Sequence, residues 1–355
     1  MEKYVAYVGT YTHRNSHGIH IYDIDPATWK MSERKVIPIN NPSDMVISAD
    51  GRFLYSIADE GVRSFLIQPD GDLLPLNSAW TGAMRGNDLE ITADGKYLFV
   101  AGYHDGSVTL LEVNEDGTVG AVLDNVFHEN ASKGLTRARS APHVTCVRRT
   151  PDQKGVAAVD SGLDHVKIYH INRETGKLKL HGTLRAEIDS SPILLRYSAD
   201  GRFAYLLCEG HSDVTVYSVG MDAAGCNTYE EIQEIPTSKE TDSRNVAACS
   251  MEMTMGGKHL LVGNNGVNSL MIFTRDEETG MLTPVCENRA SGAHPKALGL
   301  MPDNRQIEVL MHETNEIISL HVDYDQGYFL MNAKPLKVEQ PNCIRIHRLP
   351  GFDGR

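Results

Sequence analysis

His143 follows a proline at the head of one apolar segment, and Glu209 closes another. An imidazole with an ordinary pKa of about 6.5 and a carboxylate form the pair that acid/base chemistry on water requires. One group withdraws the proton, and the other orients it or acts as the base itself. Around them the chain offers groups suited to a small polar ligand. Tyr11 and Tyr103 present rings on which a sugar can stack. Thr12, Asp59, Asp88, Asp160, Asn265, Lys296 and His312 offer hydrogen bonds or charge. Lys296, Arg85, Arg137 and Arg139 are the cations available to a developing oxyanion or an anionic substrate arm. Some of these have structural readings as well. Asp160 suits a cap on the turn Ser161-Gly162, and Asp59 and Asp88 suit solvated rim acids.

No local motif gathers these residues. The six cysteines show no CxxC spacing, and neither a phosphate-cradling glycine loop nor a nucleophile elbow is present. Asp59, Asp88, His104, His143, Asp160, Glu209 and His312 are the groups from which an oxygen-rich or mixed metal site would be built. Without a motif to anchor it, no metal or other cofactor is assigned. The chemistry therefore exists only if the fold brings remote segments together.

A repeat supplies that fold. A turn phrase recurs as Ser48-Ala-Asp-Gly-Arg52, Thr92-Ala-Asp-Gly-Lys96, Thr150-Pro-Asp-Gln-Lys154, Ser198-Ala-Asp-Gly-Arg202, Thr254-Met-Gly-Gly-Lys258 and Met301-Pro-Asp-Asn-Arg305. Successive phrases start roughly 44–58 residues apart. Asp-Gly, Gly-Gly and Asp-Asn steps suit tight hairpins, because Gly and Asn accept positive φ. Each phrase precedes a short apolar strand and then a strand of alternating polarity, such as Gly61–Ile67 or Asp213–Val219. A further turn and a fourth short strand complete the unit. The pattern predicts an all-β chain with almost no helix: a seven-bladed β-propeller of four antiparallel strands per blade, forming a single domain over residues 1–355. The seventh blade is split. Tyr4–Gly9 and Gly18–Tyr22 supply two of its strands, and the inner strand comes from Asn342–Ile346, so both termini close the ring. Longer connections are expected over 125–141 and 220–245.

In such a blade the phrase above joins the inner strand A to strand B on one face, and the later turn joins C to D on that same face. The D-to-A and B-to-C connections therefore meet at the other face, around the channel mouth. His143, Lys296 and Asp88 stand at the starts of A strands, and Tyr11, Thr12, Asp59, Tyr103, Asp160, Glu209, Asn265 and His312 at the ends of B strands. Polar residues from remote blades thus face one funnel, the usual place for a ligand in this architecture.

Several phrases in these positions carry a family resemblance: Tyr7-Val-Gly-Thr-Tyr-Thr12, Asn41-Pro-Ser43, Ala141-Pro-His143, Val159-Asp160 with Gly162 and Asp164, Leu207-Cys-Glu209, and Pro341-Asn-Cys343. Over nearly its whole length the chain resembles the seven-bladed propeller lactonases, similar to bacterial 6-phosphogluconolactonase and to carboxymuconate cyclase. The resemblance implies hydrolysis of a sugar lactone without a metal. It also implies an active site made of a His after Pro, a Glu at the end of a B strand, and two arginines. His143 and Glu209 match the first two. The arginines do not carry over, since the family's Pro-Arg-His reads Pro192-Ile193-Leu194 and its Asn-Arg-Gly reads Asn264-Asn265-Gly266. A second family His is Thr145, an Arg of the last blade is Lys296, and a His opening the inner strand of blade two is Asp88. The departures cluster in the pocket, which implies a changed substrate, changed chemistry or lost activity.

The expected activity is therefore 6-phosphogluconolactonase-like hydrolysis of a sugar lactone by acid/base activation of water. The alternatives are an isomerase or lyase acting on a sugar acid or cyclic ester, and a propeller that binds a ligand or partner without catalysis. The expected ligand is a small sugar lactone or sugar acid, and the expected assembly is a monomer or small homo-oligomer. The 355-residue chain carries a net charge of −13, which disfavours nucleic acid and anionic membrane surfaces as partners. Scattered cysteines and an opening without a basic-then-apolar leader make a cytoplasmic location the expectation.

Overall fold

The recurring turn phrase forms the same hairpin each time. In Ser48-Ala-Asp-Gly51 the Gly51 N–H donates to the Ser48 carbonyl (2.8 Å), the Ser48 hydroxyl donates to Asp50 (2.5 Å), and Phe53 N–H donates to the Ser48 hydroxyl (3.0 Å). Thr92, Thr150 and Ser198 repeat all three contacts. The fourth residue has positive φ in every copy, including Gln153 and Asn304, where glycine is replaced. That conformation is what selects Gly or Asn there.

The computed structural model describes residues 2–129, 141–240 and 243–350. Seven sheets, each built on four antiparallel strands, form the ring. Blade one holds Met45–Ile47, Phe53–Ala58, Gly61–Ile67 and Leu73–Ala79; blade two holds Asp88–Ile91, Tyr97–Gly102, Ser107–Val113 and Val119–Phe127. Blade three runs from Val144–Arg149 through Gly155–Asp160 and His165–Asn172 to Lys177–Arg185, and blade four through Pro192–Tyr197, Phe203–Cys208, Asp213–Met221 and Asn227–Pro236. Blade five contains Val246–Met253, His259–Gly266, Ser269–Arg275 and Leu282–Arg289. Blade six contains Pro295–Leu300, Gln306–Met311, Glu316–Asp323 and Tyr328–Met331, with Leu336–Lys337 as an extra pairing on its third strand. In blade seven the C-terminal Pro341–Leu349 pairs with Lys3–Thr10, followed by Gly18–Ile24 and Met31–Pro38. Both ends of the chain thus close one sheet, which leaves no gap in the ring for edge pairing. The expected 220–245 connection is largely strand, because Asp213–Met221 and Asn227–Pro236 form a hairpin there. Arg137, Arg139 and most of the expected 125–141 connection lie outside the described residues. A single 3₁₀ turn, Ser243–Asn245, is the only helical element among the described residues. No cysteine forms a disulfide.

Strand B of most blades is buried throughout, as in Phe53–Ala58, Gly155–Asp160, Phe203–Cys208 and Gln306–Met311. It is covered by the neighbouring blades on both faces, so it reads as an unbroken apolar run rather than an alternating one. The outer strand Lys177–Arg185 is mostly exposed. Apolar side chains fill the wedge between neighbouring blades. Val5, Tyr7 and Ile19 of blade seven pack with Leu54, Phe65 and Ile67 of blade one. Tyrosines on B strands reach the C–D turn of the next blade, with Tyr7 Oη donating to the Gly71 carbonyl and Tyr205 Oη to the Gly280 carbonyl, both at 2.9 Å.

Glu308, on strand B of blade six, interrupts one such layer. Its Oε2 accepts the Ser319 hydroxyl (2.6 Å), while Oε1 is buried with no partner. Burial pushes this carboxyl up to about 7, against the bond from Ser319. The folded protein therefore prefers Glu308 protonated. Its contribution is fully present below the ordinary carboxylate pKa and is lost as pH rises through about 7. Glu308→Gln mimics the protonated form at every pH. Its stability relative to wild type is expected to rise by about 3 kcal/mol between pH 4 and pH 8. Urea unfolding at the two pH values measures the difference, and equal values at both would show that the carboxyl ionises as freely folded as unfolded.

Candidate active site at the channel mouth

The inner strands share an irregularity that builds the site. Strand A of blade three pairs Val144 with Asp160 and then Cys146 with Val159, which leaves Thr145 as a bulged residue. The same shift leaves out Ile193 in blade four, Cys249 in blade five, Lys296 in blade six and Asn342 in blade seven. A bulge re-aims its side chain. Thr145, Ile193, Cys249 and Lys296 all line a cavity of about 400 Å³ at the channel mouth. The rest of its wall comes from the D–A and B–C connections, with Tyr11, Arg85, Gly86, Asn87, Tyr103, His104, Glu209 and His294, and from Leu194 on strand A of blade four and Asn265 at the end of strand B of blade five. The volume falls within the roughly 300–1,000 Å³ typical of small-molecule sites.

Beneath the cavity, acids and arginines on or beside the inner strands line a narrower cavity of about 120 Å³ that shares Thr145, Leu194, Cys249 and Lys296 with the first. Arg345 pairs with Asp44 (2.6 Å), Arg148 with Asp88 (2.5 Å) and Arg196 with Glu252 (3.3 Å). Asp44 also accepts the Leu89 N–H of blade two, and Asp88 the Val147 N–H of blade three, so each acid ties its blade to the next. Asp88 is thus a buried, ion-paired strut on the channel wall and not the solvated rim acid expected from sequence.

The rim is a second network. Asn41 Oδ1 accepts the Thr12 N–H (2.8 Å), and Asn41 Nδ2 donates to Asp59 (2.8 Å). Asp59 in turn accepts from Arg85 (3.4 Å), whose guanidinium lies 5.5 Å from the centroid of the Tyr11 ring. Thr12 and Asp59 therefore hold Arg85 and Tyr11 and do not line the cavity themselves. His312 acts similarly from behind the wall. Its Nδ1–H donates to the Pro341 carbonyl (3.0 Å), and its ring stands edge-on to Tyr11 and against His294.

Glu209 and Lys296 differ from these paired groups. Both side chains line the cavity, and among the described residues no hydrogen bond or ion pair engages the Glu209 carboxylate or the Lys296 ammonium. The Cys249 thiol senses both: burial pushes it up to about 12, with Lys296 opposing and Glu209 adding to the shift. That thiol is no nucleophile at neutral pH. His294 is a wall residue not nominated from sequence, although its phrase Ala293-His-Pro-Lys296 lies at the mouth. Burial lowers its imidazole to about 4, with the charges of Lys296 and His312 adding to the effect. The ring is therefore neutral at physiological pH.

His143 and Asp160 occupy unexpected places. The His143 ring stacks on Tyr103 (centroids 4.5 Å apart, planes at 15°), and its Nδ1–H donates to the Tyr103 carbonyl (2.8 Å). Tyr103 lines the cavity and His143 does not. Asp160 is fully buried, so it is not the substrate-binding group expected. One oxygen accepts the N–H groups of His143, Gly162 and Leu163, and the other accepts His128 Nδ1–H at 2.6 Å. The turn-capping reading of Asp160 is the one the structure bears out. Of the residues nominated from sequence, Tyr11, Arg85, Tyr103, His104, Glu209, Asn265 and Lys296 meet at the cavity. Gly86, Asn87, Thr145, Ile193, Leu194, Cys249 and His294 complete it.

Residues 5–346 match the family model described as "Lactonase, 7-bladed beta-propeller". The chain is 24% identical over 352 residues to a 6-phosphogluconolactonase of Bacillus subtilis, covering 98% of this chain and 99% of that one. A 6-phosphogluconolactonase of Formosa agariphila is 24% identical over 360 residues, covering 96% and 98%. The structure of the periplasmic gluconolactonase of Pseudomonas aeruginosa superposes with a TM-score of 0.90 at 28% identity, over 98% of this chain and all of that one. With the family model spanning nearly every blade, the chain belongs to the seven-bladed β-propeller lactonase family.

Proposed function

We propose that this protein hydrolyses a sugar lactone in the channel-mouth cavity, with Glu209 as general base. The observation carrying this reading is an unpaired carboxylate and an unpaired ammonium on the wall of one aromatic-sided cavity. Glu209 withdraws a proton from water as the water oxygen attacks the lactone carbonyl carbon. Lys296 donates a hydrogen bond to the carbonyl oxygen as it becomes an oxyanion. When the intermediate collapses, the bond between the carbonyl carbon and the ring oxygen breaks, and Glu209 returns the proton to that oxygen. The product is an open hydroxy acid. Tyr11 and Tyr103 flank the sugar ring, and Arg85, already paired to Asp59, meets the far arm of the substrate. The neutral His294 supplies a hydrogen bond without adding charge beside Lys296. His143 serves as a positioning residue that holds Tyr103.

The relatives named 6-phosphogluconolactonase and gluconolactonase support a sugar lactone as the substrate class. Ile193 stands at a bulge aimed into the cavity, where the resemblance would place arginine. An apolar group there weakens recognition of a phosphate or carboxylate arm, because a lone lysine lacks arginine's bidentate fork. The test is turnover of a panel of aldonolactones with and without a phosphate group. Hydrolysis of at least one lactone faster than by Glu209→Gln protein is expected, and equal rates across the panel would overturn the proposal. Lys296→Ala is expected to lower kcat on the preferred lactone by about 100-fold, the cost of one oxyanion donor. Steady-state kinetics checks this; a rise in KM at unchanged kcat would assign Lys296 to ground-state binding instead.

A further inference from the structure

On the face opposite the cavity, blades three and four bring two imidazoles and a thiol together. His170 lies on strand C of blade three. His181 lies on strand D, at a bulge, because Tyr169 pairs with Leu180 and Ile168 with Gly182. The bulge sets the His181 ring against that of His170, with centroids 4.2 Å apart. Cys226 comes from the C–D hairpin of blade four. The nearest ligating atoms of the three residues all lie within 4.8 Å of one another.

The surroundings are built to hold this cluster. The hairpin tip is clamped to the A–B turn of blade three. Lys154 Nζ donates to the carbonyls of Ala224 (3.0 Å) and Gly225 (2.6 Å) and stands 3.6 Å from the Cys226 sulfur. Asp152 N–H donates to Asn227 Oδ1, and Asn227 N–H to Asp152 Oδ2. Asp222 Oδ1 accepts the N–H groups of Ala224 and Cys226, which fixes the Cys226 backbone. Cys226 itself is buried. Most telling is His170 Nε2, which is buried and makes no hydrogen bond. Asp152 Oδ2 lies 3.7 Å from it, too far to bond. A buried imidazole nitrogen with no partner is costly unless something else binds its lone pair.

We propose that His170, His181 and Cys226 form a binding site for a divalent transition-metal ion of the Zn²⁺ class. Two imidazoles and one thiolate are a borderline-soft donor set that selects such ions over Ca²⁺ or Mg²⁺. Bond lengths of about 2.0–2.3 Å require the donor atoms to close by about an ångström. Rotation of the exposed His181 ring provides that movement. Water or the Asp152 carboxylate completes the tetrahedron. The ion joins blade three to the hairpin of blade four, on the face opposite the residues assigned to lactone chemistry. Its role is to staple two blades.

The probes are Zn²⁺ and Co²⁺ added to chelator-treated full-length protein. Calorimetry is expected to give one Zn²⁺ per chain, and Co²⁺ to give a thiolate-to-metal charge-transfer band. Cys226→Ser should abolish that band, and His181→Ala should weaken Zn²⁺ binding by about 100-fold. Zn²⁺ should raise the melting temperature of wild type but of neither variant. His181 is exposed, so its replacement leaves folding and lactone turnover intact. Absence of Zn²⁺ binding at micromolar concentration would overturn the proposal. Binding unchanged in both variants would do the same, by placing the ion on other thiols.

Discussion

Glu209→Gln should lower kcat on the preferred lactone by about 10²–10⁴-fold while changing KM little. The glutamine keeps the size and hydrogen-bonding reach of the side chain but cannot take a proton from water. His143→Ala, by contrast, should cost no more than about tenfold in kcat/KM. The difference follows from where the structure puts the two groups. The Glu209 carboxylate lines the cavity and is engaged by no other described residue. The His143 imidazole spends Nδ1–H on the Tyr103 carbonyl and lies flat against the Tyr103 ring. Its loss loosens an aromatic wall rather than removing a base. Steady-state kinetics on both variants, with Tyr103→Phe as a control for the ring, makes the comparison. If His143→Ala lost as much kcat as Glu209→Gln, the imidazole would have to reach the reacting water, and the assignment of a single base would fail.

The same contrast shows what is legible in the sequence. The turn phrases specify their own hydrogen bonds. A hydroxyl, a carboxylate and a residue tolerant of positive φ at fixed offsets close the hairpin in four of the six copies, and the other two keep the positive-φ residue and its backbone bond, so the six repeats announce the ring from the sequence itself. The split blade is legible too, because Tyr4–Gly9 lacks an inner partner and Asn342–Ile346 lacks an outer one. The bulges are not. A one-residue insertion in strand A reverses which side chains face the channel, and nothing in the Pro192-Ile193-Leu194 spelling marks which residue is extra. Thr145, Ile193, Cys249 and the aim of Lys296 are therefore visible only in the fold. Asp88 and Asp160 stand where ligand-binding acids would stand, and only burial separates them from Glu209. Each has its partner on a strand or connection remote in sequence: Arg148 for Asp88, His128 for Asp160.

Asp160→Ala should destabilise the protein by about 3–5 kcal/mol, the largest expected loss for any single side chain in the vicinity of the site. The carboxylate is fully buried and serves four donors, the N–H groups of His143, Gly162 and Leu163 and the His128 ring. A methyl group in its place leaves all four without an acceptor, in a position that water does not reach. Burial alone would raise this carboxyl; the bonds from His128 and from the His143 and Leu163 N–H groups outweigh it and hold the pKa below its ordinary value. The stabilisation is therefore present above the ordinary carboxylate pKa and is lost as pH falls through the lowered one. Asp160→Asn separates charge from shape. Its amide oxygen can keep the three backbone donors, while its NH₂ faces His128 Nδ1, which must then accept through the other tautomer. Burial already lowers the His128 pKa, so a neutral ring meets this demand, and the loss should be about 1–2 kcal/mol. Both variants should also raise KM, the alanine more, because the peptide held by Asp160 carries the imidazole that backs Tyr103. Urea unfolding at pH 7 and lactone kinetics on the same samples test the two effects together. A stability of Asp160→Ala within 1 kcal/mol of wild type, or an unchanged KM in a folded variant, would break the link between this buried acid and the cavity wall.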